Sequence, residues 1–154
     1  MNDNSDYSAT ITVNATASEA YQALTSGFEN WWTTPSNIIK KIGDQAKFSF
    51  PPGKTYWTFE ATHLEPNSAI EMTCVDALHI HQGFGTDIQQ EWLHTKLKWQ
   101  IEESADQTKI HLTHEGLKSQ LLCFDICRAG WDFFFLKSLK CLLDTGKGMA
   151  HKPD

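Results

Sequence analysis

Hydrophobic and polar residues alternate over six stretches of the chain, and each alternation predicts a half-buried β-strand. In residues 7–14, Tyr7, Ala9, Ile11 and Val13 share one face, with Ser8, Thr10 and Thr12 on the other. Residues 45–50 group Ala46, Phe48 and Phe50, and residues 56–65 group Trp57, Phe59, Ala61 and His63. Ile70, Met72 and Cys74 line one side of 69–75. Leu93, Thr95, Leu97, Trp99 and Ile101 line one side of 92–101, and Ile110, Leu112 and His114 one side of 109–115. Turns are expected at Pro51-Pro52-Gly53-Lys54, at Pro66-Asn67 and at 105–107.

Elsewhere the period changes. After the first strand, Ala20, Tyr21, Ala23 and Leu24 form the apolar face of a short helix. Ser18 is its expected N-cap and Gly27 its end. A second short helix is expected to carry Phe28, Trp31 and Trp32 before Pro35. From about Leu121 to Thr145 there is no proline, and Cys127, Trp131, Phe134, Phe135, Ser138, Leu139 and Leu142 recur at helical spacing. Gly146 stands where a left-handed C-terminal residue belongs. Gly130 interrupts this helix at a cost of about 1 kcal/mol relative to Ala, which a close approach to the sheet or a bend would explain. Residues 76–91 carry no clear pattern. Strands followed by one long amphipathic helix define an α+β layer architecture. The boundaries expected are a tail at 1–6, one domain over 7–148 and a second tail at 149–154.

A length of 154 residues suits one domain with a sizeable core and no disulfide staples. Three of the four cysteines, Cys123, Cys127 and Cys141, fall in the long helix, so free thiols in a reducing cytoplasm are expected. The net charge of -6 argues against nucleic acid as a partner. The polar, acidic N-terminal segment has no secretory-signal pattern, and no apolar run reaches membrane-span length. Six Trp and nine Phe are the unusual feature. Such residues either fill a core or wall a ligand cavity.

The order of elements resembles the helix-grip fold of START-like (SRPBCC) proteins. Within it, the chain resembles the family of the C-terminal domain of the heat-shock protein 90 ATPase activator. Three segments carry this: ATITVNATASEAYQALT with FENWW at 9–32, THEGL at 113–117, and GWDFFFLKSLKCLLDTGKG at 130–148. The resemblance implies a curved antiparallel sheet of about six strands wrapped around the long C-terminal helix, with two short helices after the first strand. It also implies a cavity between helix and sheet. The expected cavity residues are Trp57, Phe59, Met72 and Trp99 from the sheet and Trp131, Phe134 and Phe135 from the helix, with His63, Cys74, Thr95 and His114 as polar contacts.

Three functions follow as expectations. The first is a module binding a small apolar or aromatic molecule. The second, implied by the resemblance, is contact with a chaperone or other protein, as in stimulation of a heat-shock ATPase. The third is a cyclase or hydrolase of an apolar substrate, for which His63 with Cys74 or His114 is the pair to test. An inward histidine either orients a ligand or is a core residue bonded to the backbone. No nucleophile-elbow, zincin, phosphate-loop or dinucleotide motif occurs, so no catalytic residue is named. His79 and His81 would share a strand face and address one metal, but no third ligand is identifiable beside them. Cys123 and Cys127 stand one helical turn apart, with no second pair to complete a site, and read as packed thiols. No metal and no cofactor are therefore expected.

Overall fold

The alternating segments become six strands: β1 (Tyr7–Val13), β2 (Gln45–Ser49), β3 (Tyr56–Glu65), β4 (Ala69–Leu78), β5 (Lys96–Ser104) and β6 (Gln107–Glu115). The computed structural model describes residues 5–50, 54–81 and 83–151. One antiparallel sheet runs in the order β1-β6-β5-β4-β3-β2, so the first strand joins the last hairpin. Helix α1 (Ala17–Ala23) follows β1, and a single 3₁₀ turn, Phe28–Asn30, precedes the buried pair Trp31 and Trp32. The C-terminal helix runs without a break through α2 (Phe124–Phe133), a π-wound stretch (Phe134–Leu139) and α3 (Lys140–Thr145). The expected α+β helix-grip architecture is what the chain adopts.

The sheet's inner face and this helix make the core. Trp99 on β5 meets Trp131 edge-on at 5.9 Å and Phe135 at the same separation. Trp31, Phe48, Phe59, Met72, Leu97 and Leu112 are fully buried around them. The helix side is also tied down by polar bonds. Tyr7 Oη donates to Asp132 Oδ1 at 2.9 Å, and Lys140 Nζ donates to the Thr12 carbonyl at 2.7 Å. The π-wound stretch has a packing reason. Cys127, Trp131, Phe135 and Leu139 are buried and stand four apart, a spacing that drifts about 40° per step on an ideal α-helix. Wider winding takes up that drift and keeps Phe135, Ser138 and Leu139 facing the sheet.

Several local expectations are corrected. Thr16, not Ser18, caps α1. Its Oγ1 accepts from the Glu19 amide at 3.0 Å while Glu19 Oε1 accepts from the Thr16 amide, a reciprocal box over T-x-x-E. The second helix shrinks to one turn, and Pro35 instead bridges to Phe48 on β2. β5 begins at Lys96 rather than Trp92, because His94 takes a positive φ of 72° and breaks the alternation. Gly130 makes no close approach to the sheet: apart from its chain neighbours and the adjacent helix backbone, no described atom lies within 4 Å of the position a Cβ would take.

The turn expected at 51–54 lies, for 51–53, outside the described residues, as do 1–4, Gln82 and 152–154. The expected tails are anchored where they are described. Asp6 accepts from the Gly116 amide at 2.9 Å. At the other end the Met149 amide donates to Ser138 Oγ and the His151 amide to the Trp32 carbonyl, both at 2.7 Å. Gly148 permits this return, since a Cβ there would overlap the Asn30 carbonyl oxygen.

Candidate functional site

Two β-bulges decide what faces the helix. On β3, Ala61 pairs with Met72 but His63 pairs with Glu71, so one extra residue reverses the facing of everything after Ala61. His63 therefore points outward and sits 3.4 Å from Glu65 Oε2. On β4, Thr58 faces Asp76 while Phe59 faces Cys74, and Val75 is the extra residue. Before it Ile70, Met72 and Cys74 are buried; after it Ala77 and His79 are.

A cleft of about 280 Å³ lies between α2 and the β3–β4 end of the sheet. That is near the lower bound of about 300 Å³ for small-molecule sites. Its wall is a succession of aromatic rings. Trp57 stacks on Trp92 at 4.2 Å, and Trp92 lies parallel to Trp131 at 6.1 Å. Trp32 stands 5.1 Å from Trp131, and Phe50 lies 5.5 Å from Trp57 and 6.1 Å from Phe134. Thr55, Ile80, His81, Ile126 and Gly130 complete the lining with His79 and Cys127. The mouth is held in place by Thr55, whose Oγ1 donates to the Ile80 carbonyl and accepts from the Ile80 amide. The His79 amide donates to the Gln89 carbonyl at 2.9 Å, and His79, Ile80 and His81 line this end of the cleft. Ile80 and Phe84 on that segment are 47% and 40% exposed.

Two polar groups in this wall lack hydrogen-bond partners among the described residues, Trp57 Nε1 and His79 Nδ1. Such atoms are costly to bury unmatched and are natural handles for a bound molecule. His114 behaves differently. Trp131 Nε1 donates to His114 Nδ1 at 3.0 Å, so the ring carries its proton on Nε2 and donates to Thr95 Oγ1 at 2.9 Å. Thr95 Oγ1 in turn donates to the Trp92 carbonyl at 2.6 Å. Burial pushes the His114 pKa down to about 3, so it is neutral at physiological pH. Burial likewise pushes the Cys74 thiol up to about 12, and its Sγ donates to the Asp76 carbonyl.

Of the expected cavity residues, Trp57, Trp131 and Phe134 line the cleft. Phe59, Met72, Cys74, Trp99 and Phe135 lie instead in the packed core, and Thr95 and His114 are spent on the network behind Trp92 and Trp131. The pair offered for catalysis is not assembled, because His63 is outside while Cys74 and His114 are buried. The reading missed Trp92, Trp32, Phe50 and His79 as lining. Alternation had put Phe50 on a strand face and Trp32 in the second short helix, but neither as lining.

A curved antiparallel sheet gripping a C-terminal helix, with an aromatic cleft between them, defines a START-like helix-grip domain. The chain belongs to the Activator of Hsp90 ATPase homolog 1-like protein family, whose model matches residues 14–144. The solution structure of the Aha1 dimer from Colwellia psychrerythraea is similar at a TM-score of 0.72 and 28% identity, over 93% of this chain and 98% of that one. DynU16, from the dynemicin biosynthetic locus, has a TM-score of 0.73 at 18% identity, over 95% of this chain and 49% of that one. CalU16 from Micromonospora echinospora has a TM-score of 0.61 at 14% identity, over 92% and 75%. The last two share the fold. No curated protein matches the chain. No helix among the described residues is long and apolar enough to cross a membrane.

Proposed function

We propose that this domain binds a small, flat, apolar or aromatic molecule in the cleft between α2 and the sheet. The observation that carries this is the wall itself: six aromatic rings around about 280 Å³, with two unpartnered N–H or ring-nitrogen groups, Trp57 Nε1 and His79 Nδ1. Burial of ring faces supplies affinity, at about 25 cal/mol per Å² of apolar area. The two nitrogens supply orientation and favour a ligand with at least one polar atom. Likeness in fold to DynU16, a protein of the dynemicin biosynthetic locus, agrees with a small-molecule role.

The test combines native mass spectrometry of the purified protein with a screen of small aromatic compounds by tryptophan fluorescence. Four tryptophans of the wall report directly on occupancy. Saturable quenching by a compound, lost in Gly130→Leu, is the expected result, because a leucine there projects into the cleft. Quenching that Gly130→Leu leaves intact, or no adduct and no binder at all, would overturn the reading.

Family membership favours a second reading, contact with an Hsp90-type ATPase. The exposed apolar residues Ile80, Phe84, Leu122 and Phe133 would supply the contact. Pull-down of the ATPase and a rise in its turnover support that reading, and an unchanged rate with no complex dismisses it.

A further inference from the structure

His79, Cys123 and Cys127 come together at the inner end of the cleft. All three are buried, and their ligand atoms lie within 4.8 Å of one another. Each arrives for a separate structural reason. The bulge at Val75 turns the end of β4 so that His79 faces inward. Cys123 and Cys127 sit one turn apart at the start of α2. Glu91 fixes that start, accepting from the amides of Leu122 and Cys123 at 2.9 Å each. His79 Nδ1 is buried with no hydrogen-bond partner among the described residues, although a buried imidazole nitrogen ordinarily has one.

We infer that His79, Cys123 and Cys127 bind Zn²⁺, with the fourth coordination position facing the cleft. Two thiolates and one neutral imidazole are a borderline-soft donor set, and three protein ligands with an open fourth place is the pattern of reactive rather than structural zinc sites. The dimensions fit. Tetrahedral coordination needs sulfurs about 3.8 Å apart and sulfur–nitrogen separations of about 3.5 Å, from Zn–S and Zn–N bonds of about 2.3 and 2.0 Å. The present ceiling of 4.8 Å leaves about 1 Å to close, which side-chain rotation supplies.

The charge also balances. Zn²⁺ displaces one proton from each thiol, and the resulting centre is neutral, as an apolar wall requires. Trp92 Nε1 already donates to Cys127 Sγ at 3.2 Å, a contact of the kind that orients and stabilises a metal-bound thiolate. His79 and Cys127 line the cleft, so the open position would receive water or the polar atom of a bound molecule.

This goes beyond the apolar-ligand reading and shares its cleft and His79; the two are told apart because the metal is read by its own spectrum. The reduced, metal-free full-length protein is titrated with Co²⁺ and then with Zn²⁺. One equivalent of Co²⁺ should give thiolate-to-cobalt charge transfer in the near ultraviolet and intense tetrahedral bands in the visible. Stoichiometric Zn²⁺ should abolish both. Cys123→Ser, Cys127→Ser and His79→Gln should each weaken binding at least about tenfold. Cys141→Ser, which alters the remaining helix thiol, should leave the spectrum unchanged. Absence of the charge-transfer band in the wild type would overturn the inference, and that result does not depend on any variant folding. So would binding that survives all three ligand substitutions, or a spectrum that Cys141→Ser removes.

Discussion

Gly130 drew two explanations from the sequence, a close approach to the sheet or a bend, and the structure sets the first aside. The helical pattern around it made a glycine expensive, so contact with the sheet or a bend was expected. The structure leaves its Cβ position open, on the side of α2 that lines the cleft. The glycine therefore leaves volume open in the cleft rather than relieving a clash. Gly130→Ala should raise stability by about 1 kcal/mol, or about 2–4 °C in Tm for a chain of this size, since it restores helix propensity without meeting protein atoms. Thermal unfolding checks this. A fall in Tm would mean that Gly130 meets something the open space conceals. The same substitution should weaken any cleft ligand, so stability and affinity would move in opposite directions.

At the scale of elements, the strands were legible wherever alternation was unbroken, as in Trp57–Phe59–Ala61 and Ile110–Leu112–His114. It failed at single backbone events. A bulge after Ala61 turned His63 outward, and the left-handed His94 detached Trp92 from β5 and placed it in the cleft wall. Nothing in the side-chain pattern marks either event, because a bulge is set by how two strands pair. Helix starts were closer to hand. The T-x-x-E at 16–19 is a capping signature, and the serine chosen instead lies inside the helix. Thr16→Ala should cost about 1 kcal/mol in urea unfolding, because the Glu19 amide loses its Oγ1 acceptor. A cost near zero would mean that water or Glu103, which accepts from the Ala17 amide, already satisfies the helix end.

At the scale of the whole molecule, His114 joins three parts that are distant in sequence: β6, the turn at 92–95 and α2. Its folded pKa of about 3 lies below the ordinary value of 6.5, so the unfolded chain binds a proton between those values that the native state refuses. The stability present above pH 6.5 should therefore be lost progressively as pH falls toward 3, with a slope approaching about 1.4 kcal/mol per pH unit. Urea unfolding between pH 7 and 5 measures it. His114→Gln, which keeps a donor and an acceptor but cannot titrate, should flatten the curve over that range. A wild-type curve already flat there would remove His114 from the account.

Period and composition were enough to establish an α+β chain, its strands, its long C-terminal helix and an aromatic surplus, because burial imposes those patterns on local sequence. Which aromatics fill the core and which wall the cleft was decided only in three dimensions, by bulges and by the turn before β5. The same holds for the metal-type cluster. The H-x-H pair and the two helix cysteines were each incomplete when read alone, and 44 positions separate His79 from Cys123. Folding takes one member of the first pair and both of the second and sets them together. Coordination depends on distance in space, and separation along the chain carries almost no information about that until the sheet has closed on the helix.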